Sequence, residues 1–294
     1  MDVPPDPDPS SELHYLDPSP VDDEPPLSAA EKGSYFPKST SSFGLSGGHG
    51  ATYYLRRIQK YSSYTFSAFL ALHLANTSLI PLALRSASAA DEYLLLTRPY
   101  YQSPIAEPLL VFLPIVAHVG SGVALRVHRR RQMLARAGAE NRADRKKVKF
   151  PPISSTSIIG FTLAPLAGLH ILVNRLTPLW SEGGSSSIGL TYVGHGMSRH
   201  PGAFALAYAP LVATTVWHIV WGMARWRRWT PENVRGGERP KRRRWWLLQA
   251  VSFFGFGLWM QGMRLSGMIG ETKGWMGSGF DELYRNVPVL GAWY

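Results

Sequence analysis

The sequence predicts an all-α fold: a polytopic membrane bundle of about five transmembrane helices, built from two helical-hairpin repeats and preceded by a disordered N-terminal arm. Three observations predict it. Long stretches carry almost no charge, Lys and Arg gather in alternate connections, and residues match at a fixed offset along the chain. Hydropathy averaged over the 294 residues is near zero, because clustered apolar stretches are offset by a polar first 50 residues and two basic connections.

A bilayer core of about 30 Å takes about 20 mostly apolar residues of helix. Five stretches qualify: Tyr61–Leu84, Pro108–Val127, Ile153–Val173, Ala203–Met223 and Trp245–Met263. Helices of soluble domains alternate apolar and charged faces, whereas Ala203–Met223 holds no Asp, Glu, Lys or Arg. The expected organisation is an arm over 1–50, a first hairpin over 53–127 and a basic loop over 128–152. A second hairpin over 153–224, a basic loop over 225–244, a fifth helix over 245–263 and a tail over 264–294 follow. Pro114, Pro165 and Pro210 are expected to kink spans two to four, with neighbouring helices satisfying the freed carbonyls.

Charge gives the orientation. Arg126 to Lys149 holds ten Lys and Arg, and Arg225 to Arg244 holds nine. The two opposite connections, Arg85 to Glu107 and Asn174 to Pro201, hold two each. Basic loops stay cytoplasmic, so the N-terminus is expected in the cytosol and the tail across the membrane, on its far surface. The net charge of +11 does not point to nucleic acid, because the basic runs adjoin predicted spans. There they attract anionic lipid headgroups, or serve only to fix topology.

Cysteine is absent, which excludes disulfides, zinc–thiolate sites, iron–sulfur clusters and covalently attached haem. Nothing resembles a cleaved signal peptide, and residues 1 to 31 contain no Lys or Arg, which excludes an amphipathic presequence. There is no phosphate loop, nucleophile elbow or carboxylate–histidine metal set, so no enzyme activity is expected. Tryptophans around the last span, such as Trp245, Trp246, Trp259 and Trp275, read as interfacial anchors.

Residues 1 to 26 contain eight prolines and eight acids, a composition that cannot bury enough apolar surface to fold. Within them, Leu13 and Leu16 precede Pro18 and Pro20 at short spacing. The leucines could fill pockets while the prolines hold the chain extended. Proline-rich arms also produce such patterns by chance, and Pro4-Pro5-x-Pro7-x-Pro9 supplies further proline-x-proline steps without the leucines.

The helical core is duplicated. Thr65, Leu72, His73, Leu79, Pro81 and Leu82 match Thr162, Leu169, His170, Leu176, Pro178 and Leu179 at an offset of 97. His118, Gly122 and Ala124 match His218, Gly222 and Ala224 at an offset of 100. Spans one to four thus carry one histidine each. Intramembrane ionisable groups usually face a bundle interior and mark function. His118 and His218 lie near the basic side, and His73 and His170 nearer the other, which gives one facing pair at each of two depths, roughly 10 Å apart. Such pairs suit axial ligation of up to two b-type haems, with Gly122 and Gly222 leaving room for the macrocycle. Equally, the four could hydrogen-bond between helices, line a polar cavity, or keep the geometry of a lost haem site.

The acidic arm with Leu13-x-x-Leu16-x-Pro18-x-Pro20, the His-bearing hairpins and the fifth span together resemble the fungal mitochondrial adapter of the Mdm-ten-complementing type. The resemblance covers roughly residues 53 to 265 and the short motif. It implies a mitochondrial outer-membrane, multi-pass protein at a membrane contact site, acting in lipid transport and lipid homeostasis. It also implies that Leu13, Leu16, Pro18 and Pro20 dock the vacuolar-protein-sorting-thirteen lipid-transfer protein. The membrane half is similar in plan to the cytochrome b anchors of succinate dehydrogenase and fumarate reductase, which implies haem ligation by His73, His118, His170 and His218. The expectation is therefore an adapter, with a dihaem cytochrome or a lipid scramblase as alternatives.

Overall fold

A computed structural model describes residues 50–288 and 291–293. The docking motif Leu13, Leu16, Pro18 and Pro20 lies outside the described residues. All regular structure among the described residues is helical. The principal elements are α1 (Ala51–Leu84), α2 (Ala87–Thr97), α3 (Pro108–Arg136), α4 (Ser155–Glu182), α5 (Leu190–Arg199), α6 (Pro201–Trp226), α7 (Glu238–Gly267) and α8 (Gly274–Arg285).

Helices α1, α3, α4 and α6 are long and apolar enough to cross a membrane. Helix α7, the fifth expected span, has 30 residues and falls short in apolarity, because Gln249, Gln261 and several tryptophans interrupt its apolar run. It still runs the length of the bundle. Near its start the Arg244 guanidinium lies 5.1 Å from the Trp229 ring, and near its end Ser266 abuts Gly194. The Gln249 amide is used inside the bundle, where its Oε1 accepts from Trp217 Nε1 at 2.8 Å.

Helix α3 continues nine residues past the expected Val127, so Arg129, Arg130 and Arg131 are helical. Ala, Leu, Met, Gln and Arg are good helix formers, and the chain turns only at Gly138, where φ is +60°. The rest of this basic connection includes one further helical segment, Arg142–Lys147, whose first turn is capped by the Asn141 side chain accepting from Asp144 N. Arg130 holds the return of the chain by donating to the carbonyls of Val148, Lys149 and Arg145.

Three π-helical turns, Ala75–Leu79, Pro108–Phe112 and Leu172–Leu176, each end two residues before a proline. A proline ring clashes with the carbonyl one α-turn back, and widening that turn by one residue moves the carbonyl aside. The turns in α1 and α4 occupy equivalent repeat positions, just after His73 and His170. Pro114 follows the π-turn Pro108–Phe112, whereas Pro165 and Pro210 sit within unbroken α-helix.

Helix α1 packs along α3, and α4 along α6, to form the two hairpins, while α7 packs on both α6 and the π-turn of α1. This seam buries Val212, Val216, Trp259 and Met263, with Leu70, Leu74 and Phe256 around them. Close approach here needs Gly262, since a Cβ would collide with the Ser78 backbone, and Ser78 Oγ donates to the Leu258 carbonyl at 2.8 Å. Outward, Leu113, Val116, Leu206, Phe253 and Phe254 are exposed. An apolar belt of this extent is unstable against water and matched to lipid.

The end of the bundle opposite the basic connections carries a packed cap. Helix α8, from the tail expected on the membrane surface, folds back on α5 and buries Phe280, Leu283 and Tyr284 with Tyr192, Val173 and Ile188.

Candidate functional site

The four intramembrane histidines converge in two pairs across the space between the hairpins. His73 of α1 and His170 of α4 have ring centroids 5.9 Å apart, as do His118 of α3 and His218 of α6. Each pair therefore joins one helix of each hairpin. Among the described residues, dense backbone packing between long helices occurs within the hairpins or onto α7, so the hairpins meet through side chains. As whole residues all four histidines are half-buried.

The pairs differ in chemistry. His118 Nδ1 donates to the Gln59 carbonyl at 3.0 Å, and His218 Nδ1 donates to the Thr156 carbonyl at 3.1 Å. Gln59 and Thr156 are related by the same 97-residue offset, so the duplication has kept the contact. A carbonyl only accepts, so both Nδ1 atoms carry the proton and both Nε2 atoms present a bare lone pair. This is the arrangement of metal-ligating histidines, whose second nitrogen is held by a carbonyl or carboxylate.

His170 has the opposite tautomer. The two N–H groups of the Asn174 amide are shared among three acceptors, the His170 carbonyl at 2.9 Å, Tyr208 Oη at 3.3 Å and His170 Nδ1 at 3.3 Å, since an amide nitrogen cannot itself accept. Nδ1 therefore accepts, and the proton sits on Nε2. His73 is stacked on Phe69, with Trp259 at its edge, and His170 meets Tyr208 edge-on. This second pair is an aromatic and amide cluster between helices.

A haem held between two imidazoles needs two metal–nitrogen bonds of about 2 Å, which place the ring centres roughly 6 Å apart. Both separations of 5.9 Å match that spacing. At His118 and His218 the carbonyls on Nδ1 leave both Nε2 lone pairs free, so that pair suits iron better than His73–His170, where the Asn174 amide faces His170 Nδ1. A Cβ placed on Gly222 would meet nothing within 4 Å, in keeping with open space, whereas the corresponding position on Gly122 is filled by the Gln59 amide. His218 is lodged against the α4 backbone at Gly160, where an added Cβ would lie 2.7 Å from its Cε1. Among the described residues no cluster of three or more His, Asp or Glu could hold a metal ion.

Sequence reasoning missed the polar framework of the cap. Arg175 forms a two-point ion pair with Glu107 at 2.6 and 2.5 Å, tying the end of α4 to the start of α3. Asp91 of α2 caps α5 from outside, accepting from Leu190 N at 2.6 Å, Thr191 N at 3.2 Å and Thr191 Oγ1 at 2.7 Å. Arg98 donates to the carbonyls of Ser185, Ser186 and Ile188. Buried His195 donates from Nε2 to Asp281 at 2.9 Å and accepts from Thr272 N at 3.1 Å. Partners 68 to 100 residues apart leave no local pattern; the available signal was an unpaired charge beside an apolar span, as at Glu107 and Arg175.

The MDM10-complementing protein 1 transmembrane-domain family matches the chain over residues 68–159 and 165–274, two segments whose starts are 97 residues apart, as in the internal repeat. No curated protein and no solved structure matches the chain. The doubled match, the two hairpins and the four apolar spans agree: the chain belongs to the MDM10-complementing protein 1 family, as a mitochondrial integral membrane protein of that type.

Proposed function

We propose that the protein is an outer-membrane adapter of mitochondria, whose acidic N-terminal arm faces the cytosol and recruits a bridge-like lipid-transfer protein of the vacuolar-protein-sorting-thirteen type. Leu13, Leu16, Pro18 and Pro20 make the contact, at sites where mitochondria meet another organelle and exchange lipid. One observation carries the reading: the arm joins α1 at the basic end of the bundle, where Arg56 lies within electrostatic range of Arg129. Basic connections stay on the cytosolic side, so the arm emerges where a cytosolic partner can reach it. The family match supports the membrane context. The roughly thirty residues between the motif and α1 would, as a coil, reach about 30 Å, enough to capture a partner without fixing its orientation.

The test is capture of the lipid-transfer protein by the full chain in proteoliposomes. Replacing Leu16, Pro18 and Pro20 by Ala should abolish capture, while replacing Pro5, Pro7 and Pro9 should leave it intact. Undiminished capture by the first variant would rule out docking through the motif.

The tautomers of His118 and His218 favour a second reading beside the first: one b-type haem, held at that pair. Bound there, the haem would supply one-electron redox chemistry. The chain's part would be to offer the two Nε2 atoms, with the Gln59 and Thr156 carbonyls holding the rings through Nδ1 and raising their basicity. Protein purified from haem-supplied cells should show a Soret band that His118→Leu or His218→Leu removes and His170→Leu retains. A colourless preparation, or equal loss in all three, counts against it.

A further inference from the structure

Arg56 of α1, Arg126 and Arg129 of α3, and Arg225 of α6 converge at the basic end of the bundle, with Arg129 in electrostatic range of the other three. Arg126 and Arg129 lie on the helix that carries His118, and Arg225 on the helix that carries His218, so both hairpins contribute. Among the described residues no carboxylate pairs with Arg126, Arg129 or Arg225; the described acidic partners go to Lys147, Arg175, His195, Arg199 and Lys241. Arg126 spends one donor on the Pro151 carbonyl. Arg225 Nε is buried with no hydrogen-bond partner, an orphan donor in a cluster of like charge. The guanidiniums of Arg126, Arg129 and Arg225 repel one another, and a buried charged donor left unmade is costly, so these three are incomplete without an anion.

Depth says which anion. From Pro108 to Arg126 an α-helix rises roughly 27 Å, close to the hydrocarbon thickness of about 30 Å. The cluster therefore stands at the level of lipid phosphates. Trp226, Trp229, Trp245 and Trp246 lie at the same end, as interfacial tryptophans do. Guanidinium forks match phosphate oxygens in two-point contacts, and basic pockets between membrane helices on this side hold phosphorylated headgroups.

We propose that Arg126, Arg129 and Arg225 form a binding site for the phosphate of an anionic phospholipid of the same leaflet, seated where the two hairpins meet. The headgroup neutralises the cluster, takes up the Arg225 Nε donor, and joins the hairpins at this end. The inference is independent of the N-terminal motif and of haem.

The test uses the purified full chain in detergent, titrated with dioctanoyl phosphatidic acid and, separately, dioctanoyl phosphatidylcholine, followed by tryptophan fluorescence. Two lost charge-assisted contacts correspond to about tenfold or more in affinity. The wild type should therefore prefer phosphatidic acid by at least that factor, and Arg129→Gln with Arg225→Gln should lose the preference. Arg142→Gln with Lys146→Gln, the same charge change on an exposed helix, should keep it. Arg225→Lys retains charge and fold but lacks Nε, and should fall between. No preference in the wild type, or equal loss in the two double variants, overturns the site in favour of diffuse surface charge. Displacement of the lipid by excess inorganic phosphate overturns the lipid assignment in favour of a free anion.

Discussion

Gly160→Ala offers the sharpest check on the histidine geometry. The new Cβ would lie 2.7 Å from His218 Cε1 and 3.1 Å from its Nδ1, where carbon contacts settle near about 3.5–4.0 Å. The ring must therefore move by roughly 1 Å, away from the helix that also supplies its hydrogen-bond acceptor. The Nδ1 contact to the Thr156 carbonyl, now 3.1 Å, does not survive that shift. Overpacking costs about 1–3 kcal/mol and the lost buried hydrogen bond about 1 kcal/mol. The expected destabilisation is thus about 2–4 kcal/mol. Gly168→Ala on the same helix is the control: nothing lies within 4 Å of its Cβ position, and Ala is the better helix former by about 1 kcal/mol at most. Reversible unfolding in mixed micelles, followed by tryptophan fluorescence, reads both. If Gly160→Ala proves as stable as Gly168→Ala, His218 is not seated against α4 and the tautomer argument falls with it.

Other substitutions probe the remaining contacts by the same unfolding measurement. Gly262→Ala should cost about 2 kcal/mol or more, because its neighbour is Ser78 backbone, which cannot swing aside; a neutral result would mean α7 does not pack on the π-turn of α1. Arg175→Met should cost about 3 kcal/mol by stranding the largely buried Glu107, and adding Glu107→Leu should recover most of it; additive losses would argue against the pair. Asp91→Ala should cost about 1–2 kcal/mol as a lost helix cap and raise amide exchange at Leu190 and Thr191, the two groups it holds.

The bundle itself was readable in the sequence because lipid imposes strict terms: uncharged runs of sufficient length, with arginines at alternate ends. The paired histidines were readable because duplication wrote them twice, at offsets that conserve depth. Their tautomers were not, since the carbonyls of Gln59 and Thr156 that set them carry no side-chain signal. Asn174, which gives His170 the other tautomer, has Thr77 as its counterpart one repeat earlier, so the duplication hid the difference between the pairs. The fifth helix had the expected place but lower apolarity, because Gln249 serves Trp217 across an interface that composition cannot display. The cap escaped notice for a related reason: His195 with Asp281, and Asp91 with Thr191, come together only after the chain has turned back several times.

The adapter reading depends on the side to which the arm is delivered. Protease added to intact mitochondria, with antibodies against the first 30 residues and against the 264–294 tail, measures this directly. The arm should be removed while the outer membrane is whole, and the tail should be cut only after the membrane is opened. An arm protected until rupture would contradict the cytosolic placement on which recruitment depends.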